Sequence, residues 1–235
     1  LIEKLEKTLG ALPVTGLTVP EVPPYNAKRG VLITPFAASE GVAHVRADFP
    51  LPKAGSKEFR AVSLAFSMLD DVLFEIVRAR EGACYSVWSR AYGYKSPFGS
   101  LVVYKTGVPQ KVKSYVEESI QVLLDGKCLA ADSSETGAAF IDIDKALDYY
   151  KAKYINAYFL SQQTNASIAS QIASSVIAYG DYRAYLLLPD DVASISKADI
   201  LSVMERYLKN PPASWVVLGG EDVLAGMDSA DFFAH

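Results

Sequence analysis

Residues 73–87 constrain the fold of this 235-residue chain more than any other segment. Over residues 56–80, apolar side chains recur at intervals of three and four, which predicts one long amphipathic helix. Gly82 is a natural helix terminator, and a strand carrying Tyr85 is predicted to follow it. The sequence therefore predicts a helix-to-strand junction where the guanidinium of Arg78 lies near the phenol of Tyr85.

The other elements predict an α+β domain, that is, a two-layer α/β arrangement. The predicted strands cover residues 30–38, 42–49, 85–95, 99–105 and 215–219. Further helices are predicted over residues 109–124, 145–161, 164–179 and 196–208. Residues 125–144 are expected to form a loop with one short strand, and residues 185–188 a short extended piece. This order implies an antiparallel-rich mixed sheet with helices packed on one face.

Three parts are predicted along the chain. Residues 1–29 combine an apolar helical stripe with a Pro-rich stretch, and we interpret them as the end of an inter-domain helix plus a linker. Residues 30–220 form the globular domain, and residues 221–235 form a C-terminal tail. Because the apolar stripe starts at the first residue, we expect the chain to be a piece of a longer polypeptide.

Composition argues against several functional classes. The formal net charge is −4 and no dense Lys/Arg patch occurs, so a nucleic-acid partner is not expected. No apolar run reaches the roughly 18 to 20 residues that a membrane span needs. The two cysteines, Cys84 and Cys128, are predicted to be free, buried thiols, with pairing in an oxidising compartment as the alternative.

Hydrolytic chemistry lacks its usual residues in this chain. The only histidines are His44 and His235, and neither belongs to a His-x-x-Glu-His or His-Glu-x-x-His motif, so no metal site and no Ser/His or Cys/His nucleophile is predicted. The pair Asp70-Asp71 is interpreted as solvated surface without a partner. A tyrosine stripe at positions 150, 154 and 158 is interpreted as core or interface packing.

The junction carries a recognisable motif, Leu73-Phe74-(x3)-Arg78-(x3)-Gly82-(x2)-Tyr85-Ser86-Val87. It resembles the hallmark of the second, non-zinc half of the M16 zinc metallopeptidases, the pitrilysin and mitochondrial processing peptidase group. The predicted order of elements over about residues 25–220 also matches such a half. The resemblance implies the LuxS/MPP-like metallohydrolase fold.

The resemblance also implies a function. This chain would be the C-terminal, metal-free half of a zinc metalloendopeptidase and would be inactive alone. Zinc would lie in a partner half that carries the inverted His-x-x-Glu-His motif, either upstream in the same polypeptide or on a separate subunit. Arg78 and Tyr85 would bind the peptide substrate and stabilise the oxyanion, with Gly82 as the supporting turn. The compartment expected for the family is bacterial periplasmic or extracytoplasmic, or organellar.

Two departures from the family pattern keep alternatives open. Residues 67–71 replace a glycine-rich loop and are predicted to stay helical, and the usual Gly-Leu-Ala-Tyr becomes Gly-Ala-Cys-Tyr at residues 82–85. One alternative is a non-catalytic scaffold or partner subunit of the same fold, like the core subunits of respiratory complexes. Another is a self-contained peptide-binding module.

Overall fold

Seven strands and nine helices form the part of this computed structural model that covers residues 2–8, 10–13, 16, 21–23, 25, 29–130, 139–209 and 214–232. The strands are β1 (Gly30–Pro35), β2 (Ala43–Pro50), β3 (Cys84–Tyr92), β4 (Phe98–Thr106), β5 (Lys127–Leu129), β6 (Phe140–Asp142) and β7 (Ser214–Gly219). The main sheet has the order β1-β7-β2-β4-β3, and β5 and β6 form a separate pair. Only β1 and β7 are parallel within the main sheet, which confirms the predicted antiparallel-rich mixed sheet.

The helices follow the predicted order with three additions, α6, α7 and α9 in the list that follows. They are α1 (Ile2–Thr8), α2 (Lys57–Leu73), α3 (Pro109–Leu124), α4 (Ile143–Leu160), α5 (Asn165–Tyr179), α6 (Arg183–Leu186), α7 (Leu188–Ala193), α8 (Lys197–Met204) and α9 (Glu221–Leu224). Two π-helical segments, Phe74–Arg80 and Glu205–Lys209, continue α2 and α8, and 3₁₀ turns occupy Ala37–Ser39 and Ser229–Phe232.

Helix α2 is the centre of the core. Ser56 caps it by accepting a hydrogen bond from the backbone N–H of Phe59 at 3.1 Å. Its apolar face packs on one side of the sheet, where the ring of Phe66 meets that of Phe49 edge-on at 6.5 Å. Each fully buried aromatic or aliphatic side chain contributes about 1.5–3 kcal/mol, so this interface dominates the stability of the domain. Residues 67–71 lie inside α2, which confirms that they stay helical.

The opposite face of the sheet carries no helix among the described residues. Alternation along β2 and β4 directs Ala43, Val45 and Val103 to the core, and it directs His44 and Tyr104 outward. The helices therefore lie on one face, and the predicted two-layer α+β architecture is confirmed.

Two predictions of local structure were wrong. Residues 185–188, expected to be extended, belong to α6 and α7. Residues 125–144 contain two short strands, which pair with each other, in place of one, and residues 131–138 lie outside the described part. Most of the Pro-rich stretch also lies outside it. The predicted tail returns to the domain, where the ring of Phe232 is buried 5.5 Å from that of Trp215.

Candidate substrate-contact site at the helix-to-strand junction

The junction is built by an unusual helix end. The last turns of the long helix are π-helical over Phe74–Arg80, a form that is found often at functional sites. The N–H of Gly82 donates to the carbonyl of Arg78 at 3.2 Å, and the N–H of Ala83 donates to that of Val77 at 2.9 Å. These bonds resemble a Schellman closure that is one residue wider, because the preceding turn is π-helical.

Gly82 makes the reversal possible. Its φ angle is +58°, in the left-handed region that costs L-residues with a side chain about 1 kcal/mol or more. The chain leaves this turn directly into β3, so Tyr85 becomes the second residue of an edge strand.

Arg78 projects into solvent beside two aromatic rings. Its guanidinium carbon lies 5.5 Å from the ring centroid of Phe74 and 5.5 Å from that of Tyr85. No carboxylate of the described residues lies within 4 Å of it, since none of their ion pairs includes Arg78. Cation–π contacts with exposed rings contribute about 0.5–1 kcal/mol, so the rings orient the guanidinium without neutralising it.

Arg80, two residues further on, has two carboxylate partners, Glu81 and Glu118. Its guanidinium donates to both carboxylate oxygens of Glu118 on α3, at 2.8 and 2.7 Å, and to Glu81 at 2.9 Å. The hydroxyl of Tyr115 donates to Glu81 at 3.3 Å. The hydrogen bonds from Arg80 hold the pKa of Glu118 below its usual range. The junction thus has one cation that anchors it to α3 and one that is available to a ligand.

The phenol of Tyr85 is also available. Its side chain is 66% exposed, and its ring meets that of Tyr104 edge-on at 6.5 Å. The ammonium of Lys105 lies 5.9 Å from the Tyr85 ring and 5.6 Å from the Tyr104 ring. Lys105 has φ +54°, where the register of β2 against β4 shifts, and this bulge places a second cation beside the phenol.

His44 supports this cluster from β2. Its ring lies 4.6 Å from that of Tyr104, and its Nδ1 accepts a hydrogen bond from the N–H of Lys105 at 3.4 Å. This fixes the proton on Nε2, which donates to the hydroxyl of Ser39 at 3.1 Å. Burial, followed by the charge of Lys105, lowers the pKa of His44, so the ring is neutral at pH 7.

Sequence reasoning selected part of this site. The structure brings Arg78, Gly82 and Tyr85 together at one junction, and it adds Phe74, Tyr104 and Lys105. Phe74 was detectable, because residues four apart on a helix are neighbours. Tyr104 and Lys105 were not, because their approach depends on strand register and on a bulge at a non-glycine residue.

No metal centre is found in the described part of the chain. None of its His, Cys, Asp and Glu side chains form a group of three or more that can hold an ion. His235 lies outside the described residues. In the same residues, no helix combines the length and the apolar character that crossing a bilayer requires.

The interpretation of Asp70-Asp71 as solvated and unpartnered was wrong. The carboxylate of Asp70 is half-buried and accepts a hydrogen bond from the backbone N–H of Ser89 at 2.6 Å. That of Asp71 pairs with the ammonium of Lys153 at 3.1 Å. The carboxylate of Asp70, in α2, therefore binds a backbone N–H of the edge strand β3.

Both cysteines are free thiols, as predicted, but the predicted burial is confirmed only for Cys128. Cys84 is half-buried at the start of β3, and Cys128 is fully buried in β5. Burial raises the pKa of both, and it brings that of Cys128 to about 12, so neither thiol is an activated nucleophile.

Comparison with known proteins shows which solved structures share this fold. The sequence matches no protein-family model and no curated protein. Solved structures do match it, among them a protease from Helicobacter pylori, with a TM-score of 0.73 and 12% identity over 93% of this chain and 51% of that chain. This chain thus spans about half the length of that protease.

Two further structures share this fold. A peptidase M16 inactive domain from Pseudomonas fluorescens matches with a TM-score of 0.62 and 15% identity, over 86% of this chain and 46% of that chain. A chain of Complex III2 from Candida albicans matches with a TM-score of 0.72 and 12% identity, over 97% of this chain and 54% of that chain. At these identities the likeness concerns the fold, and the chain has the α+β fold of the M16 peptidase domains.

Proposed function

We propose that this chain is the metal-free half of an M16-type zinc metalloendopeptidase, which closes over a peptide substrate held against a zinc-binding half. The observation that carries the proposal is the guanidinium of Arg78, which lies beside Phe74 and Tyr85 at an exposed junction and has no carboxylate partner among the described residues. An exposed cation without a carboxylate partner is suited to a ligand group of opposite or partial negative charge.

Peptide hydrolysis generates such a charge. When water attacks the scissile carbonyl, negative charge develops on its oxygen, and donors already in position stabilise it more than they stabilise the substrate. A phenol donates one directed hydrogen bond, and a guanidinium stays charged at every working pH. In this proposal Tyr85 donates to the oxyanion, and Arg78 holds the peptide backbone beside it.

The other components must come from outside this chain. The described residues contain no group able to hold zinc, so a partner half would have to supply both the metal and the attacking water. The likeness to an M16 inactive domain supports this division of labour, because that domain has the same fold. The proposed partner half is either fused upstream or a separate subunit.

A scaffold role is the second candidate. It is favoured by the likeness to a chain of Complex III2, which covers 97% of this chain at a TM-score of 0.72. A scaffold of the same fold would use the exposed junction for subunit contacts and would have no proteolytic activity.

The test uses the native polypeptide or assembly that contains this chain. Its mass and metal content are measured first, and then its hydrolysis of a quenched-fluorescent peptide library. With Tyr85→Phe we expect kcat to fall by about tenfold to a thousandfold, the loss typical of one oxyanion donor. Arg78→Ala should raise KM, and Arg78→Lys should recover part of the loss. Tyr182→Phe removes an exposed phenol that is not part of the junction and serves as the matched control.

Two results would overturn the proposal. Unchanged kcat and KM in both Tyr85→Phe and Arg78→Ala would remove the role of the junction. An intact assembly without bound zinc and without peptide hydrolysis would favour the scaffold.

A further inference from the structure

A deep groove lies on the helical side of the domain, away from the Arg78–Tyr85 junction. Its volume is about 790 Å³, within the range of small-molecule sites. Its floor is α2 and the end of β3, and its walls are α4 and α5. No residue of the proposed substrate-contact site lines it.

A buried guanidinium lines this groove. Arg60, on the first turn of α2, is only 4% exposed. One of its terminal nitrogens donates to the carbonyl of Ala184 at 3.0 Å, and its Nε has no hydrogen-bond partner. No carboxylate of the described residues lies within 4 Å of it, because Arg60 takes part in none of their ion pairs.

An unpaired buried cation needs an explanation. Arg is almost never fully buried unless it is paired, since the loss of hydration costs several kcal/mol. Among the described residues, the only carboxylate that lines the groove is that of Asp70, ten residues further along α2 and hence about 15 Å away along the helix axis. Asp70 is itself engaged by the backbone of Ser89.

The charge of the groove is opposite to that of the chain. Its lining includes the cations Arg60, Arg90, Lys95 and Lys153 and, among the described residues, the carboxylate of Asp70, whereas the chain as a whole carries −4. Lys153 pairs with Asp71 beside the groove, and the remaining three cations still exceed the one carboxylate of the lining. The groove therefore attracts anions although the protein is acidic.

Aromatic rings give the groove an apolar body next to this charge. Tyr154 and Tyr158 of the tyrosine stripe face Tyr179 across it. Tyr179 sits against two glycines, because a Cβ at Gly55 or at Gly93 would lie 3.1–3.2 Å from ring atoms or the hydroxyl of Tyr179. Burial is the main cause that raises the pKa of Tyr179, so its phenol stays protonated, and its hydroxyl donates to the carbonyl of Gly93 at 3.5 Å.

We propose that this groove binds the terminal carboxylate of an organic acid with an aromatic or branched apolar body, with the carboxylate on Arg60 and the body among the tyrosine rings. A guanidinium matches a carboxylate in geometry, and the bond gains strength where water is excluded. Two sources share this chemistry, namely a free small acid and the carboxyl terminus of a peptide. The site uses neither Arg78 nor Tyr85, so it stands or falls independently of the proposed function.

Calorimetry on the full chain tests the proposal with two matched pairs of probes. One pair is 3-phenylpropionate and 3-phenylpropionamide, and the other is acetyl-Ala-Ala-Phe with a free carboxylate or with a terminal amide. We expect at least one carboxylate to bind about tenfold or more tightly than its amide. Binding of the small acid alone assigns the site to free acids, and binding of the peptide acid alone assigns it to peptide termini.

Variants locate the binding. Arg60→Met keeps the volume and removes the charge, and we expect it to reduce carboxylate binding by about tenfold or more. Arg60→Met removes a buried charge, which favours stability, and the hydrogen bond to Ala184, which opposes it, so this variant is expected to fold. Arg90→Gln removes an exposed cation of the same lining and should change binding less. Equal binding of acids and amides, no binding at about 10 mM of any probe, or unchanged binding by folded Arg60→Met would overturn the proposal. The comparison of acid with amide needs no variant and decides the matter if Arg60→Met fails to fold.

Discussion

The guanidinium of Arg80 forms a two-point hydrogen bond with the carboxylate of Glu118, at 2.8 and 2.7 Å, and so joins the end of the long helix to α3. Arg78, two residues earlier in the same π-helical segment, has no such partner among the described residues. The two cations have the same chemistry, but one is used by the fold and the other is available to a ligand.

This difference predicts that substitutions of Arg80 and Arg78 affect the stability of the protein differently. Both Arg80 and Glu118 are about half exposed, so a double-mutant cycle with alanine should give a coupling of about 0.5–1 kcal/mol that decreases with added salt. Arg78→Ala removes only cation–π contacts with two exposed rings, so it should lower the free energy of unfolding by about 1 kcal/mol or less. Urea unfolding measures both. A vanishing coupling, or a loss above about 2 kcal/mol in Arg78→Ala, would contradict this division.

Gly82→Ala should destabilise the protein by about 1 kcal/mol. The cost is conformational, because φ is +58° and a Cβ there would meet no atom within 4 Å. Asn tolerates the left-handed region, so Gly82→Asn should cost less. Gly107→Ala is the control, since that glycine has open space and no positive φ. If Gly82→Ala and Gly107→Ala unfold at the same urea concentration, the left-handed backbone at position 82 does not require glycine.

Gly99→Ala tests packing in place of backbone strain. A Cβ at Gly99 would lie 2.3 Å from Cζ of Phe66, inside the core between α2 and β4. Overpacking of this kind costs about 1–3 kcal/mol. The double variant Gly99→Ala/Phe66→Leu should recover part of the loss relative to the sum of the two single changes, as measured by urea unfolding. If the two single losses simply add in the double variant, the Cβ at position 99 does not clash with the ring of Phe66.

The neutral ring of His44 predicts a pH dependence. Burial and Lys105 lower the pKa of His44 in the folded state below the value of about 6.5 in the unfolded chain. The unfolded state therefore binds the proton more readily. His44 thus contributes stability that is present above about pH 6.5 and is lost as the pH falls through the folded pKa.

Measured between about pH 7.5 and pH 5.5, the urea midpoint should fall more steeply for the natural chain than for His44→Gln. The amide keeps a donor and an acceptor but cannot titrate. Parallel slopes would show that His44 has the same proton affinity in both states.

The thiols should differ in reactivity. Cys128 is fully buried with a pKa of about 12, whereas Cys84 is half-buried and the nearby charge of Arg78 partly offsets the effect of burial on its pKa. At about pH 8, iodoacetamide should therefore alkylate Cys84 first in the folded chain, and both thiols at similar rates in urea. Peptide mass spectrometry over time gives the order. Faster labelling of Cys128 would contradict the packing of β5.

Much of the fold could be predicted from local patterns in the sequence. The apolar period of α2, the cap at Ser56 and the terminator Gly82 each reflect neighbouring residues, and each was found where predicted. Residues 185–188 failed for a physical reason. A short apolar run before Pro189 favours an extended backbone, but the proline occupies the first turn of α7, where its missing N–H costs nothing.

The features that escaped prediction depend on distant residues. Nothing near Asp70 in the sequence indicates its hydrogen bond to Ser89. Nothing near Arg60 indicates that its guanidinium is buried without a carboxylate partner among the residues that the structure describes. Both depend on how α2 lies against β3 and α5. The sequence can name the residue types of a site, but their partners follow from tertiary packing.

The position of β7 has a consequence for how this chain folds. β1 and β2 are separated by only a short turn in sequence, yet β7 lies between them in the sheet, about 180 residues later. Until residues 214–219 arrive, the facing edges of β1 and β2 are unpaired strands that can join another chain. Sheet closure must therefore wait until residues 214–219 have been synthesised, so this sheet forms slowly and late, and truncation before β7 is expected to produce a chain that aggregates.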